Sequence, residues 1–421
     1  MWVWWHHYIN TRTFELTRDS DVLRVDLSLL SAQTEAQLRY AGVFANSNFM
    51  PVFSATDHAH MALALDLAER GLYTTRPNPR VGCVLAQGAQ VIGTGWHQKA
   101  GAPHAEVHAL AAAGAAARGA TAYVTLEPCA HFGRTPPCAD ALIAAGVARV
   151  VAAVVDPFPQ VSGLGLARLS AAGIVTESGL MHAQARALNA GFFSRVERAR
   201  PWLRLKLAMS VDGRTALANG VSRWLTGAEA RGDVHRLRAR ACAILTGVDT
   251  VLADDPRLDV RLNAVDLPEL AVPAPLKIVL DRHLRTPPSA KLFNTLGAVL
   301  IAHSNAAPES NRAALRAAGA ELWQLPANES EQLPALFVEL GRREINEVHT
   351  EAGAVLSGAL LQSGLVDELV LYQAPILLGQ HARPLLQLPE LTVMQDRIAL
   401  ELMDQRMFGV DLRFSYRVLA R

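Results

Sequence analysis

The sequence predicts an α/β protein of two domains, and three observations carry that expectation. From about residue 57 onward, short apolar runs that read as strands alternate with longer stretches that read as helices, the pattern of a parallel or mixed sheet with helices on both faces. The chain has 421 residues, long enough for two domains or three. A charged run, Arg195-Val196-Glu197-Arg198-Ala199-Arg200, is closed by Pro201 and reads as a solvated linker. One domain is therefore expected over residues 51–196 and a second over 201–421.

The elements follow in order. Residues 1–50 are expected to be a disordered upstream extension, with Met50 as a start; Asp21 to Leu38 has only a weak helical pattern. Between His58 and Gly71, Met61, Leu63, Leu65, Leu67 and Ala68 give a helix with a core face, and Gly71 stops it. Thr75-Arg76-Pro77-Asn78-Pro79-Arg80 is a loop, since the two prolines around Asn78 exclude helix. Val81 to Leu85 and Val91 to Gly95 are strands around a Gly88 turn, with Cys83 as a small core residue. A helix over Val107 to Ala117, a strand over Thr121 to Leu126, a helix over Ala139 to Ala145 and a strand over Arg149 to Val155 come next. Ala167 to Ala172 and Ile174 to Thr176 add one more helix and strand.

Trp202 to Ala208 opens the second half as an alternating strand. Thr226 is the expected N-cap of a polar-faced helix, Gly227 to Arg240. Ala243 to Thr246 is a strand, and Gly247 to Arg261 reads as a long, hence functional, loop. Lys277 to Leu280, Ala298 to Ala302 and Glu321 to Leu325 are strands, with a helix from Pro308 to Ala318. Val348 to Glu351 runs through Gly353 into a helix start, a geometry that accepts phosphate. Glu368 to Tyr372 and Val410 to Tyr416 are the last strands.

Composition excludes several classes. Forty basic and 39 acidic residues leave no global charge for nucleic acid or an anionic membrane. Four cysteines in so long a chain make no disulfide framework. No apolar run reaches the length of a membrane span. A cytoplasmic protein is expected.

The chemistry concentrates in His104-Ala105-Glu106, Pro128-Cys129 and Pro137-Cys138. His104, Cys129 and Cys138 supply the three protein ligands of a catalytic zinc, leaving the fourth position for water. Water bound there ionises near neutral pH. Glu106 is too close to His104 in sequence to co-ligate easily and suits the role of passing the proton to a leaving amine, as in zinc nucleobase deaminases. His104 and Cys138 both precede or open helical runs, where the helix dipole favours thiolate. A structural zinc site would need a fourth protein ligand. Asn78 is a candidate contact for a polar ligand or else a turn residue; His97 precedes the metal segment, and Asp156 falls at a strand's carboxyl end, where ligands collect.

These residues resemble a family. Asn78-Pro79-x-Val81-Gly82, Gly95-x-His97, His104-Ala105-Glu106 and Cys129-x8-Cys138 with Gly133-x-Thr135-Pro136-Pro137 are similar to the deaminase half of the bifunctional riboflavin-biosynthesis deaminase–reductases. Lys206 to Thr215, Ser222 to Thr226, Ala253-Asp254-Asp255-Pro256 and Glu351-Ala352-Gly353 are similar to the reductase half. The resemblance implies a cytidine-deaminase-like α/β/α domain followed by a dihydrofolate-reductase-like α/β domain. It implies zinc-dependent hydrolytic deamination of a diamino-pyrimidine ribosylamino phosphate, then NADPH-dependent reduction of the ribosyl chain to ribityl. The matching positions assign zinc to His104, Cys129 and Cys138, proton transfer to Glu106, and the pyrimidine phosphate pocket to Asn78, His97, His131, Arg134 and Asp156. In the second half they assign the sugar phosphate to Lys206, Ser222, Arg238, Leu258, Arg261 and Glu351, and the dinucleotide to Ala208, Trp224, Thr250, Asp254 and Gly353. A homo-oligomer, dimer or tetramer, is expected. Two departures stand out: Phe158 replaces the Asn of the family's Asp-Pro-Asn-Pro, and Leu164 stands where a cation is common.

The sequence contains no G-x-G-x-x-G dinucleotide fingerprint, so hydride transfer rests on the resemblance alone. Two rivals are a cytidine- or tRNA-type deaminase with an accessory module, and a non-catalytic zinc-binding regulator.

Overall fold

The computed structural model describes residues 13–18, 21–26, 53–130, 136–159, 161–262 and 270–419. Residues 1–52 and 53–421 form two units. In the first, β1 (Thr13–Arg18) and β2 (Asp21–Asp26) pair antiparallel with Thr13 opposite Asp26. The weak helical pattern from Asp21 is thus overridden by strand pairing, in a segment expected to be without structure. The rest of that extension lies outside the described residues.

The second unit begins with α1 (Ala55–Glu69), which a capping box starts: Ser54 Oγ accepts the Asp57 N–H, and the Asp57 carboxylate accepts the Ser54 N–H at 2.8 Å. Asp57 also receives Tyr123 Oη at 2.7 Å and Arg149 Nη1 at 2.6 Å. Burial alone would raise its carboxyl, but Arg149, Tyr123 and Ser54 hold it well below the usual range. Then come β3 (Gly82–Gln87), β4 (Gln90–Trp96), α2 (Ala105–Ala113), β5 (Thr121–Val124), α3 (Cys138–Ala145), β6 (Arg149–Ala152), α4 (Leu164–Ala171), β7 (Val175–Ser178), α5 (His182–Leu188) and α6 (Ala190–Arg198). The five strands form a mixed sheet in the order β4-β3-β5-β6-β7, with β5, β6 and β7 parallel. Period-two alternation feeds two cores: Val84 and Val151 pack with Met61 and Phe193, while Cys83 and Val150 pack with Ala105 and Leu142. A Cβ on Gly95 would lie 2.2 Å from the Ala105 carbonyl oxygen. Only glycine lets α2, which carries the metal motif, lie so close to β4.

The C-terminal half comprises β8 (Trp202–Ser210), a short β9 (Arg214–Ala216), α7 (Ala228–Arg240), β10 (Ala243–Gly247), α8 (Val248–Asp254), β11 (Leu276–Leu280), β12 (Val299–His303), α9 (Glu309–Ala317), β13 (Ala320–Gln324), α10 (Glu329–Arg342), β14 (Glu347–Glu351), α11 (Ala354–Gln362), β15 (Glu368–Ala374), β16 (Arg383–Pro384), β17 (Leu400–Phe408) and β18 (Asp411–Val418), with β9 and β16 paired in a small sheet of their own. Nine strands run in the order β13-β12-β11-β10-β14-β8-β15-β18-β17. They are parallel from β13 to β15, and β18 and β17 are antiparallel. β14 is thus inserted between β10 and β8, in the middle of the sheet.

Four expectations need correction. Residues 195–200 are no solvated linker. Arg195 and Arg198 belong to α6, and Arg198 and Arg200 both bind Asp367, at 2.8 Å. An arginine-rich run read as solvated because its acceptor lies far away in sequence. The segment after Gly247 is not all loop, because α8 fills its first turns. The N-cap of α7 is Gly227, not Thr226, and its N–H donates to Asp411 Oδ2 at 2.7 Å. Thr226 instead offers its carbonyl to Arg231. Finally, α5, α6 and α10 were not foreseen as helices; Pro334 inside α10 disguised it.

Glu347, at 1% exposure, joins the two halves. It takes Arg80 Nη1 at 2.8 Å, Arg240 Nε at 2.8 Å and Arg204 Nη1 at 3.3 Å. Burial pushes its carboxyl up, but the guanidinium groups of Arg240, Arg80 and Arg204 outweigh that and hold it well below the usual range. Because the folded form resists protonation more than the unfolded one, this stabilisation is complete above the ordinary carboxylate pKa, about 4.3, and is lost as pH falls below it. Glu347→Gln leaves buried Arg80 and Arg204, and the partly exposed Arg240, short of an anion and is expected to cost about 3–5 kcal/mol. Denaturant midpoints measured across acid pH should show a flatter pH dependence in the variant.

Candidate functional site

The metal motif is assembled at helix starts. His104 is the N-cap of α2; its side chain makes no capping bond and is free for other use. Cys138 is the first residue of α3. Its N–H donates to Cys129 Sγ at 3.3 Å, and the Ala139 N–H to the Cys129 carbonyl at 3.2 Å. His104 Nδ1 lies 3.2 Å from Cys138 Sγ and 3.7 Å from Cys129 Sγ. Tetrahedral zinc with ordinary Zn–N and Zn–S bonds spaces such donors roughly 3.6 Å apart. One imidazole and two sulfurs at this spacing fit zinc. The hydrogen bond from Cys138 holds the Cys129 thiol below the usual range, which favours the thiolate a metal needs.

Glu106 is 3% exposed, and its Oε2 is buried with no hydrogen-bond partner among the described residues. Burial raises its carboxyl against the pull of His104. A bare carboxylate oxygen beside the ligand atoms is what a proton carrier requires. His97 lies edge-on to His104, with ring centroids 5.4 Å apart. Its Nδ1 donates to the Pro103 carbonyl at 3.2 Å, and its Nε2 accepts the Asn78 amide at 3.1 Å. Burial pulls its pKa down to about 4, so it stays neutral. Asp156 is mostly buried; its Oδ1 accepts the Phe158 N–H at 2.8 Å. His131 and Arg134 lie outside the described residues.

Sequence reasoning missed Glu127. Its carboxylate accepts the backbone N–H groups of Asp156, Gly163, Gly165 and Leu166, at 2.9–3.1 Å. It therefore ties the Cys129 segment to the loop after β6 and to the start of α4. A Cβ on Gly165 would meet the Pro128 oxygen at 1.8 Å, so the contact admits only glycine. The two departures from the family pattern, Phe158 and Leu164, are 37% and 53% exposed, and nothing in the structure explains them.

A second site opens in the C-terminal half, a cleft of about 2170 Å³. That exceeds a usual small-ligand pocket several-fold and suits a dinucleotide plus a sugar phosphate. Lys206, Ala208, Ser222, Trp224, Arg238, Thr250, Asp254, Arg261, Glu351 and Gly353 all line it. Leu258 does not, contrary to expectation: its side chain is 2% exposed and turned into the protein. Trp224 is 70% exposed, with the Arg231 guanidinium 4.4 Å above its ring, so it is no core residue. Arg238 is bidentate on Glu351, with Nη2 2.9 Å from Oε2, and its Nη1 donates to the Asp259 carbonyl. Burial favours a neutral Glu351, but Arg238, His349 and Lys206 keep it ionised. Gly353 caps α11 without a side-chain bond, leaving backbone N–H groups turned outward. Arg282, His283 and Arg285 also line the cleft and were not anticipated. They directly follow β11, so the rule that ligands collect at the carboxyl ends of parallel strands could have found them.

Comparison with known proteins finds a family match for each half. Residues 54–154 match the cytidine and deoxycytidylate deaminase zinc-binding region, and residues 201–414 match the RibD C-terminal domain. The chain is 48% identical to the riboflavin biosynthesis protein RibD of Escherichia coli over 85% of this chain and 98% of that protein. It is 47% identical to RibD of Haemophilus influenzae over 86% of this chain and 98% of that one. The Acinetobacter baumannii RibD structure superposes with a TM-score of 0.80 at 43% identity, covering 87% of this chain and 99% of that chain. A Thermotoga maritima diaminohydroxyphosphoribosylaminopyrimidine deaminase/5-amino-6-(5-phosphoribosylamino)uracil reductase superposes with a TM-score of 0.75 at 28% identity, covering 86% and 99%. The chain belongs to the RibD family of bifunctional riboflavin-biosynthesis deaminase–reductases.

Proposed function

We propose that the chain performs two consecutive steps on one phosphorylated pyrimidine. His104, Cys129 and Cys138 hold zinc, Glu106 moves protons in the hydrolytic deamination, and the C-terminal cleft reduces the ribosyl chain with NADPH. The observation that carries this reading is the buried Glu106 Oε2, without a hydrogen-bond partner among the described residues, beside an imidazole and two sulfurs. When bound, zinc supplies Lewis acidity that activates water, and NADPH supplies the reducing equivalents.

The chain's own residues do the rest. Glu106 accepts a proton from the attacking water and returns it to the departing amine; burial, by raising its carboxyl, matches it to both transfers. Asn78 and neutral His97 orient the pyrimidine without adding charge. In the reductase cleft, Lys206, Arg238 and Arg261 receive the sugar phosphate, and the α11 start with Gly353 faces the dinucleotide. Incubation with the diamino-pyrimidine phosphate and NADPH, with ammonia and NADPH followed together, tests the whole reading. Ammonia without NADPH oxidation, or neither product, would count against it.

Arg261 is 62% exposed, so its removal should not disturb packing. Arg261→Ala is expected to lower kcat/KM of the reductase step roughly ten- to a hundred-fold, the worth of a charge-assisted phosphate contact. Ammonia release should be unaffected. An unchanged reductase rate would remove Arg261 from the site.

No helix among the described residues is long and apolar enough to cross a membrane, and a cytoplasmic location is proposed. A homo-oligomer, dimer or tetramer, is proposed as well. Strand β17, at the edge of the large sheet, exposes Leu402, Met403 and Met407 at 53%, 46% and 60%, an apolar edge that a second copy could cover. Light scattering tests that.

A further inference from the structure

The C-terminal half reaches into the deaminase at the loop that carries Asn78. Asn78 turns its amide inward to His97. Its neighbours are held from the other side. The Arg76 guanidinium donates to the carbonyls of Ala239, Ala241 and Pro273. The Pro77 carbonyl accepts Asn346 Nδ2 at 2.6 Å. Arg80 pairs with Glu347 at 2.8 Å.

The Asn346 bond matters most, because of what it fixes. The Pro77 carbonyl and the Asn78 N–H belong to one planar peptide unit. The N–H donates to the Thr75 carbonyl at 3.0 Å, and the carbonyl accepts Asn346. Both ends of that plane are thus pinned, which fixes where the Asn78 side chain leaves the backbone. The orientation of the Asn346 amide is itself settled. Its Oδ1 accepts Arg195 Nε at 2.6 Å, and guanidinium can only donate. The NH₂ end must therefore face Pro77. Asn346 is 6% exposed, so water offers the Pro77 carbonyl no ready substitute.

We propose that Asn346, from the C-terminal half, is a positioning residue for deamination: through Pro77 it holds Asn78 against His97, so that the second half completes the first half's pyrimidine pocket. This rests on the deaminase reading above.

Asn346→Asp tests it in the full chain. Aspartate keeps volume and the acceptor for Arg195 but turns an oxygen toward the Pro77 carbonyl. Deamination of the diamino-pyrimidine phosphate should lose about ten-fold in kcat/KM, chiefly through KM, the scale on which a displaced orienting group acts. Zinc content and the reductase kcat/KM on the deaminated substrate should stay within about two-fold of wild type. Unchanged deamination, or parallel loss of both activities in a soluble variant, overturns the proposal. If Asn346→Asp does not fold, Arg76→Lys is read by the same rule, since a lysine cannot hold all the carbonyls that Arg76 spans. A wild-type protein that releases no ammonia would instead refute the deaminase reading itself.

Discussion

Glu106→Gln is expected to cut ammonia release by roughly 10³- to 10⁴-fold, the upper part of what a positioned acid–base group contributes. At about 1.36 kcal/mol per factor of ten, that is a barrier increase of about 4–5.5 kcal/mol. The isosteric amide fills the same space, so the ligand geometry and bound zinc should persist. What it loses is the ability to take up and return a proton. Stability should not suffer, because a buried carboxylate oxygen without a partner is costly and the amide removes that charge. NADPH oxidation on the deaminated substrate should continue at the wild-type rate. Three readouts on one variant, ammonia, zinc content and NADPH, separate proton transfer from metal binding and from folding. Ammonia release within ten-fold of wild type would assign the proton work to another group.

The two sites differed in how far the sequence exposed them, for a physical reason. The metal group draws its ligands from three short segments, and residue type alone narrows the choice: a His and a Cys at helix starts, a second Cys just past a strand, and Glu two residues beyond the His. The reductase cleft is gathered from the ends of β8, β10, β11 and β14, which lie far apart in sequence, and its cationic residues look individually like solvated charge. Resemblance located Lys206, Arg238 and Arg261 but not Arg282 or Arg285, and it also carried Leu258, whose side chain is buried away from the cleft. The junction was not legible at all. Arg80 and Glu347 stand 267 residues apart, and Asn346 and Pro77 stand 269 apart. No local pattern marks such partners. The Arg-rich segment at 195–200 shows the consequence: without sight of Asp367 and Asn346, anchored arginines read as a solvated linker. Glu127 escaped notice similarly, because its four backbone donors lie 29 to 39 residues downstream, in the loop after β6 and the first turn of α4.

Loss of one zinc ligand should separate the two activities completely. Cys138→Ser puts an oxygen where the softer sulfur stood, with no thiolate to offer the metal. Metal content is expected to fall well below one equivalent, and ammonia release to background. The domain should nevertheless stay folded, unlike a zinc finger, whose folding energy is largely its metal-binding energy. The reason lies in the packing. Cys83, Leu85, Ala105, Ala109, Leu142 and Val150 form a continuous apolar core beneath the site, and a second core covers the opposite face of the sheet. These owe nothing to the ion. Elemental analysis, thermal unfolding and the two assays on the same preparation make the outcome decisive. Ammonia release persisting in metal-free protein would sink the zinc assignment, whereas loss of NADPH oxidation along with ammonia would mean that the metal supports the fold of the whole chain rather than one reaction.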